Sequence, residues 1–202
     1  MKNITSMLEL FQNQQAYFQS GVTKDLSFRI EKLKRLKQAI QAHESEILAA
    51  LHSDMRKPKF EAYTAELALV VDEIKHAIRH LPSWAKARRV PTPLPHFISK
   101  SVIYTEPLGV ILVIAPWNYP FRLTVAPLIA AIAAGNCAIA KPSELAPHTS
   151  AIISKIINST FEAKYLVSVE GDAIVNQELL KLPFNHIFFT GGERVGKIVM
   201  EA

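Results

Sequence analysis

Residues 109–144 read GVILVIAPWNYPFRLTVAPLIAAIAAGNCAIAKPSE. Val110-Ile-Leu-Val-Ile114 is a short, wholly apolar run rich in β-branched residues, as expected of a strand covered on both faces. A helix is predicted over Leu123–Ala134, then a turn at Gly135-Asn136, then a second buried strand over Cys137–Ala140. Further on, Thr149–Phe161 reads as a helix, Leu166–Val169 as a strand, Asp172–Leu180 as a helix and His186–Phe189 as a strand. A last helix opens after Gly191-Gly192. Strands and helices alternating at this spacing specify an α/β fold with a doubly wound, mostly parallel sheet. Ligands of such sheets sit at the carboxyl ends of the strands, which is where chemistry is to be sought.

Upstream of the sheet the chain reads as helices. Over Ser27–His43, Ile30, Leu33, Leu36 and Ile40 recur at helical spacing, with Phe28 as a weaker member and lysines and Arg35 on the other faces. A shorter helix from Glu44 carries Ile47, Leu48 and Leu51 and ends near Asp54. A long one follows Pro58, with Tyr63, Leu67, Val70, Val71, Ile74 and Ile78 as its stripe, and is expected to stop at Pro82. Pro82, Pro91, Pro93 and Pro95 then mark a connector, after which Ile98–Thr105 alternates like a strand. The expected organisation is a helical region over 1–82, a connector with an arm strand over 83–108, and the sheet region over 109–202.

Composition narrows the function classes. With 202 residues, 49% hydrophobic and 20% charged, the chain suits a folded domain and is no disordered tail. Its single cysteine, Cys137, excludes an internal disulfide framework and a CxxC-type zinc site, and fits a reducing compartment. The net charge of +5 suits an anionic small molecule and is too diffuse to argue for nucleic acid. The one dense basic cluster, Lys86 to Arg89, reads first as a solvated linker, with phosphate binding as the alternative. Met1–Leu10 lacks the features of a signal peptide, and the apolar stretch Leu123–Ala140 is broken by Pro127 and Gly135-Asn136. A soluble, cytoplasmic protein without a membrane span is therefore expected. His76 and His80 are four apart with no third ligand nearby, so no metal site is expected.

Three strand ends carry unusual residues. After the first strand, Pro116-Trp-Asn-Tyr-Pro120 is a stiff turn, and Asn118 offers an amide donor suited to polarising a carbonyl or holding an oxyanion; a capping asparagine in a braced turn is the plainer alternative. After the second, Lys141 and Glu144 offer the cationic donor and carboxylate acceptor that a ribose diol needs, and the carboxylate disfavours a 2′-phosphate; a surface ion pair would look the same. After the fourth, Thr190-Gly191-Gly192 lets the backbone approach a ligand, with a helix N-terminus behind it that favours phosphate. An ordinary tight connection would also produce it, and it is not the usual GxGxxG. Cys137 invites a nucleophile reading, but it opens an apolar strand at the wrong end of the sheet and reads better as a small buried hydrophobe.

Taken together, Ala115-Pro-Trp-Asn-Tyr-Pro120, Ala134 to Glu144 and Phe189 to Gly196 closely resemble the aldehyde dehydrogenase superfamily in content, order and spacing, and the PWNYP form resembles its class 3, fatty-aldehyde type. The resemblance covers essentially the whole chain and implies a Rossmann-like sheet, incomplete at the C-terminus. It implies that Asn118 helps hold the substrate oxyanion and that Trp117 lies beside the cofactor. It also implies that Lys141 and Glu144 bind the adenosine ribose, and that Thr190, Gly191, Gly192, Val195 and Gly196 belong to the turn and helix facing the pyrophosphate and adenine. The implied cofactor is NAD, with NADP open; the implied partners are an aldehyde substrate and a second copy of the chain, with Ile98–Thr105 in the dimer arm. Many relatives have serine or asparagine where this chain has Gly192, so backbone N–H groups would have to serve there.

In that family the nucleophilic cysteine and the general-base glutamate lie downstream of the glycine turn, whereas this sequence reaches only Ala202 and Cys137 does not match the nucleophile. The expectation is therefore an N-terminal portion of a dehydrogenase that oxidises an aldehyde to a carboxylic acid through a cysteine thiohemiacetal, the 202 residues alone being inactive. A non-catalytic nucleotide-binding or interaction module is the competing reading, and a nucleic-acid binder a weaker third.

Overall fold

The expected alternation of strands and helices is realised in a computed structural model that describes residues 6–202. Its helical half holds α1 (Met7–Gln19), α2 (Leu26–Ala42), α3 (Glu44–Met55), α4 (Lys59–Ala62) and α5 (Ala68–Trp84). A two-stranded antiparallel pair follows, β1 (Arg88–Val90) with β2 (Ser101–Ile103). The α/β half is β3 (Val110–Ile114), α6 (Pro120–Ala134), β4 (Cys137–Lys141), α7 (Pro147–Thr160), β5 (Leu166–Ser168), α8 (Ala173–Leu180), β6 (His186–Phe189) and α9 (Glu193–Glu201).

The four main strands are parallel in the order β5-β4-β3-β6. The chain winds outward from β3 through β4 to β5, then crosses back to place β6 on the other side of β3. The winding direction therefore reverses between β3 and β6, and that reversal opens a crevice at the carboxyl ends of the strands. Every residue of β3 and β4 is buried, as the unbroken apolar runs require. Ile111, Val113, Ala138 and Ala140 join the core built by α6 and α7, while Leu112, Ile114 and Ile139 pack with Leu10 of α1 and Val175 and Leu179 of α8. The first core runs without a break into Leu33, Leu36 and Ile40 of α2, Ile47 and Leu51 of α3, and Val70 and Ile74 of α5. The upstream helices thus brace α6 and α7 from behind.

Several boundaries differ from the sequence reading, each for a local reason. The long helix does not stop at Pro82 but runs to Trp84: a proline in the last turn forfeits one hydrogen bond, and the Ala85 N–H still reaches the Leu81 carbonyl at 2.9 Å. Between α4 and α5 the chain makes a π turn over Tyr63–Leu67, which rotates the apolar stripe and leaves Tyr63 exposed. The strand expected over Ile98–Thr105 is only Ser101–Ile103, and Leu94–His96 forms a 3₁₀ turn before it. Its partner is Arg88–Val90, so part of the basic cluster read as a linker is strand.

At the end of α6 the chain reverses through Gly135, whose φ of +89° is left-handed backbone that suits glycine. The space a β-carbon would need there is filled by Arg29, a buried residue of α2. Its guanidinium donates to the Thr23, Lys24 and Ala133 carbonyls and so ties the first helical turns to the end of α6.

Candidate active site

The residues singled out in the sequence converge on one edge of the sheet. β3, the central strand, ends in Ala115, whose N–H donates to the Lys141 carbonyl at the end of β4 (3.1 Å). On its other side the Thr190 N–H donates to the Ile114 carbonyl (3.1 Å), which fastens the glycine turn after β6 to the same edge. The Pro116–Pro120 turn therefore lies between the other two turns, which are two strand spacings apart, about 10 Å.

Each turn has a distinct character. Trp117 and Asn118 are exposed, and the Asn118 side-chain amide has no hydrogen-bond partner among the described residues. Lys141 is 1% exposed; its Nζ donates to the Pro142 carbonyl (2.9 Å) and to Glu144 Oε2 (3.1 Å), while Glu144 reaches solvent. The cation is thus held in place by its own turn, with a half-open carboxylate beside it. At the third turn Gly191 lies over the Phe189 ring, where a β-carbon would collide, so the backbone passes closer than any side chain would allow. Gly192 faces open space and caps α9 without a side-chain bond. The Gly196 N–H closes onto the Gly192 carbonyl (3.0 Å), and Val195 is exposed. The first N–H groups of α9 carry the positive end of its dipole and point outward.

The start of α6 is different, although it too faces this edge. Its N–H groups at Phe121 and Arg122 donate to Glu66 Oε2 (3.0 and 3.3 Å), so this helix end is already neutralised. Glu66 is fully buried in the π turn; its other oxygen accepts from Lys57 Nζ at 2.5 Å. Lys57 also donates to the Asn118 carbonyl (3.2 Å) and lies 4.1 Å from the Tyr119 ring centroid. Neither residue was singled out in the sequence. The available signal was a glutamate inside an otherwise apolar helical stretch, which cannot reveal a partner 55 residues away.

Cys137 stands at the opposite end of β4, fully buried, and burial pushes its thiol up to about 12. It is neither near the carboxyl ends of the strands nor ionised at neutral pH. Among the described residues no three His, Cys, Asp or Glu side chains cluster as metal ligands, and no helix is long and apolar enough to cross a membrane.

The donor set fits a dinucleotide: a paired lysine and carboxylate for a diol, an open helix start behind a close-approach glycine turn for phosphate, and an exposed indole and amide between them. Residues 8–202 match the model of the aldehyde dehydrogenase family. The chain belongs to the aldehyde dehydrogenase family. It is 50% identical over 192 residues to 4,4'-diaponeurosporen-aldehyde dehydrogenase of Staphylococcus aureus, covering 95% of this chain and 42% of that one. Against aldehyde dehydrogenase family 3 member A2 of Pongo abelii the identity is 42%, over 96% of this chain and 40% of the relative. A solved substrate-bound Staphylococcus aureus AldH superposes with a TM-score of 0.96 at 48% identity, covering 98% of this chain and 43% of that one. The chain thus spans about two fifths of the length of the aldehyde dehydrogenases it matches.

Proposed function

We propose that this chain supplies the dinucleotide site and the oxyanion donor of an NAD(P)-dependent aldehyde dehydrogenase. The observation that carries the reading is the meeting of three chemically different turns on one sheet edge, with the Asn118 turn in the middle. Lys141 and Glu144 would bind the adenosine ribose, and the Glu144 carboxylate would repel a 2′-phosphate, which favours NAD. The backbone of Thr190, Gly191 and Gly192 and the start of α9 through Val195 and Gly196 would hold the pyrophosphate and flank the adenine. Trp117 would lie along the cofactor beside Asn118. When bound, the dinucleotide supplies the hydride acceptor. The Asn118 Nδ2 donates a hydrogen bond to the aldehyde oxygen as negative charge builds on it; an exposed amide with no hydrogen-bond partner among the described residues is free for that.

The thiolate that would attack the aldehyde is not Cys137, whose enclosure and raised pKa keep it a thiol. The nucleophile is assigned to the part of the related enzymes that this chain does not span. We further read the exposed connector around Ile98 as a dimer arm.

The intact mass of the native protein, followed by aldehyde-dependent NAD reduction, tests the proposal. A mass well above 22.5 kDa with activity is expected. A mass of 22.5 kDa with nucleotide binding and no turnover establishes the competing module. In the active enzyme Asn118→Ala is expected to cost roughly 2–4 kcal/mol of transition-state stabilisation, and an unchanged rate removes Asn118 from the role.

A further inference from the structure

We infer that the buried Lys57–Glu66 pair is a positioning device for Asn118, aiming its amide at the reacting oxygen; this rests on the reading of Asn118 as oxyanion donor. The Pro116–Pro120 turn must present a side-chain amide that makes no hydrogen bond to the described residues. With no such bond to steer it, its aim depends on the backbone that carries it. Two prolines fix φ at the ends of the turn. Between them the one hydrogen bond to Asn118 among the described residues comes from Lys57 Nζ, which donates to its carbonyl at 3.2 Å and lies over the adjacent Tyr119 ring. Lys57 is in turn fixed by Glu66, and the second oxygen of Glu66 holds the first two free N–H groups of α6.

One carboxylate and one ammonium thus grip the turn on both sides of Tyr119. Glu66 is fully buried and Lys57 only 9% exposed, so both charges are removed from water. Such a pair is a poor choice for stability alone, because well-packed apolar side chains often serve as well. What it adds is a fixed geometry, since a buried carboxylate with three donors has few alternative arrangements. Its place in the π turn over Tyr63–Leu67 agrees: the extra residue there departs from regular helix at the point where the carboxylate faces α6. Nothing about the pair requires a ligand, so the grip is present before substrate arrives.

The test combines kinetics in the intact enzyme with amide NMR on the 202-residue chain. Lys57→Met is expected to lower kcat about 10–100-fold, the scale for a small misplacement of a catalytic group, while the NAD dissociation constant stays within about twofold. Lys57→Arg is expected to restore most of the rate. In an Asn118→Ala background Lys57→Met should cost almost nothing more, because the device acts through that amide. In the chain itself Lys57→Met should broaden or shift the Asn118 side-chain amide signals while the strand amides stay put. Glu66→Gln keeps the size and an oxygen acceptor and serves if Lys57→Met does not fold; a smaller loss in the same direction is expected. A full kcat for Lys57→Met, an equal loss with and without Asn118, or an Asn118 amide as ordered as in the native chain overturns the inference. If Asn118→Ala alone leaves the rate intact, the oxyanion reading fails, and the amide signals alone decide whether the pair orders the turn.

Discussion

Cys137 begins β4 with its thiol wholly enclosed, and the enclosure decides both its reactivity and part of the alkaline behaviour of the chain. An unfolded cysteine loses its proton near pH 9, whereas the folded one keeps it to about 12. Between those values the unfolded state binds fewer protons than the native state, so stability falls as pH rises. The slope from this residue is up to about 1.4 kcal/mol per pH unit, and below about pH 8 it is absent. Tyr165, whose hydroxyl is also raised by burial, adds the same sign higher up. Denaturant titrations from pH 8 to 11 should therefore show a steeper decline for the native chain than for Cys137→Ala. Native Cys137 should also resist iodoacetamide at pH 8, and rapid alkylation without unfolding would contradict the assignment.

At the scale of elements, the apolar packing that joins the helices is supplemented by carboxylates that cap a helix remote in sequence. Asp54, at the end of α3, accepts from the His148 and Thr149 N–H groups (3.1 and 2.7 Å) and from the Thr149 hydroxyl (2.7 Å), closing the start of α7. Asp54→Ala should cost roughly 1–3 kcal/mol, with Asp54→Asn recovering part of it. A melting temperature unchanged from the native chain would show that water replaces the cap without loss. These links also explain what was legible beforehand. The strands and helices from Val110 to Glu201 were readable because burial on both faces writes unbroken apolar runs, and glycine and asparagine mark the turns between them. Asn118, Lys141, Glu144 and the Thr190 turn were readable as candidates because parallel topology sends every strand end to one edge. Glu66, Lys57, Asp54 and Arg29 were not, since their meaning lies in partners that only the tertiary fold supplies. The shift at Pro82 and the polar strand Arg88–Val90 were hidden for a related reason: neither depends on an apolar period.

For the whole molecule, exposed apolar residues occur along the chain, from Leu8 to Met200, and four of the most exposed share one segment. Leu94, Phe97, Ile98 and Tyr104 are each at least 70% exposed and occupy one short connector around the β1–β2 pair. Such an exposed apolar cluster suits burial against a second copy. Sedimentation at about 10 µM should give a mass above that of one chain, and Phe97→Asp with Ile98→Asp should return it to the monomer; a monomeric native protein overturns the arm assignment. The molecule also has a long reach along its own sequence. Gln14 of α1 donates through Nε2 to the carbonyls of Ala138 and Ala163, 124 and 149 residues away. At ribosomal speeds of about 5–20 residues per second, Ala163 is made roughly 7–30 s after Gln14. For that interval Leu10 and Phe11 have no sheet to lie against, so a nascent chain displays a greasy, unfinished helix long enough for a chaperone to find it.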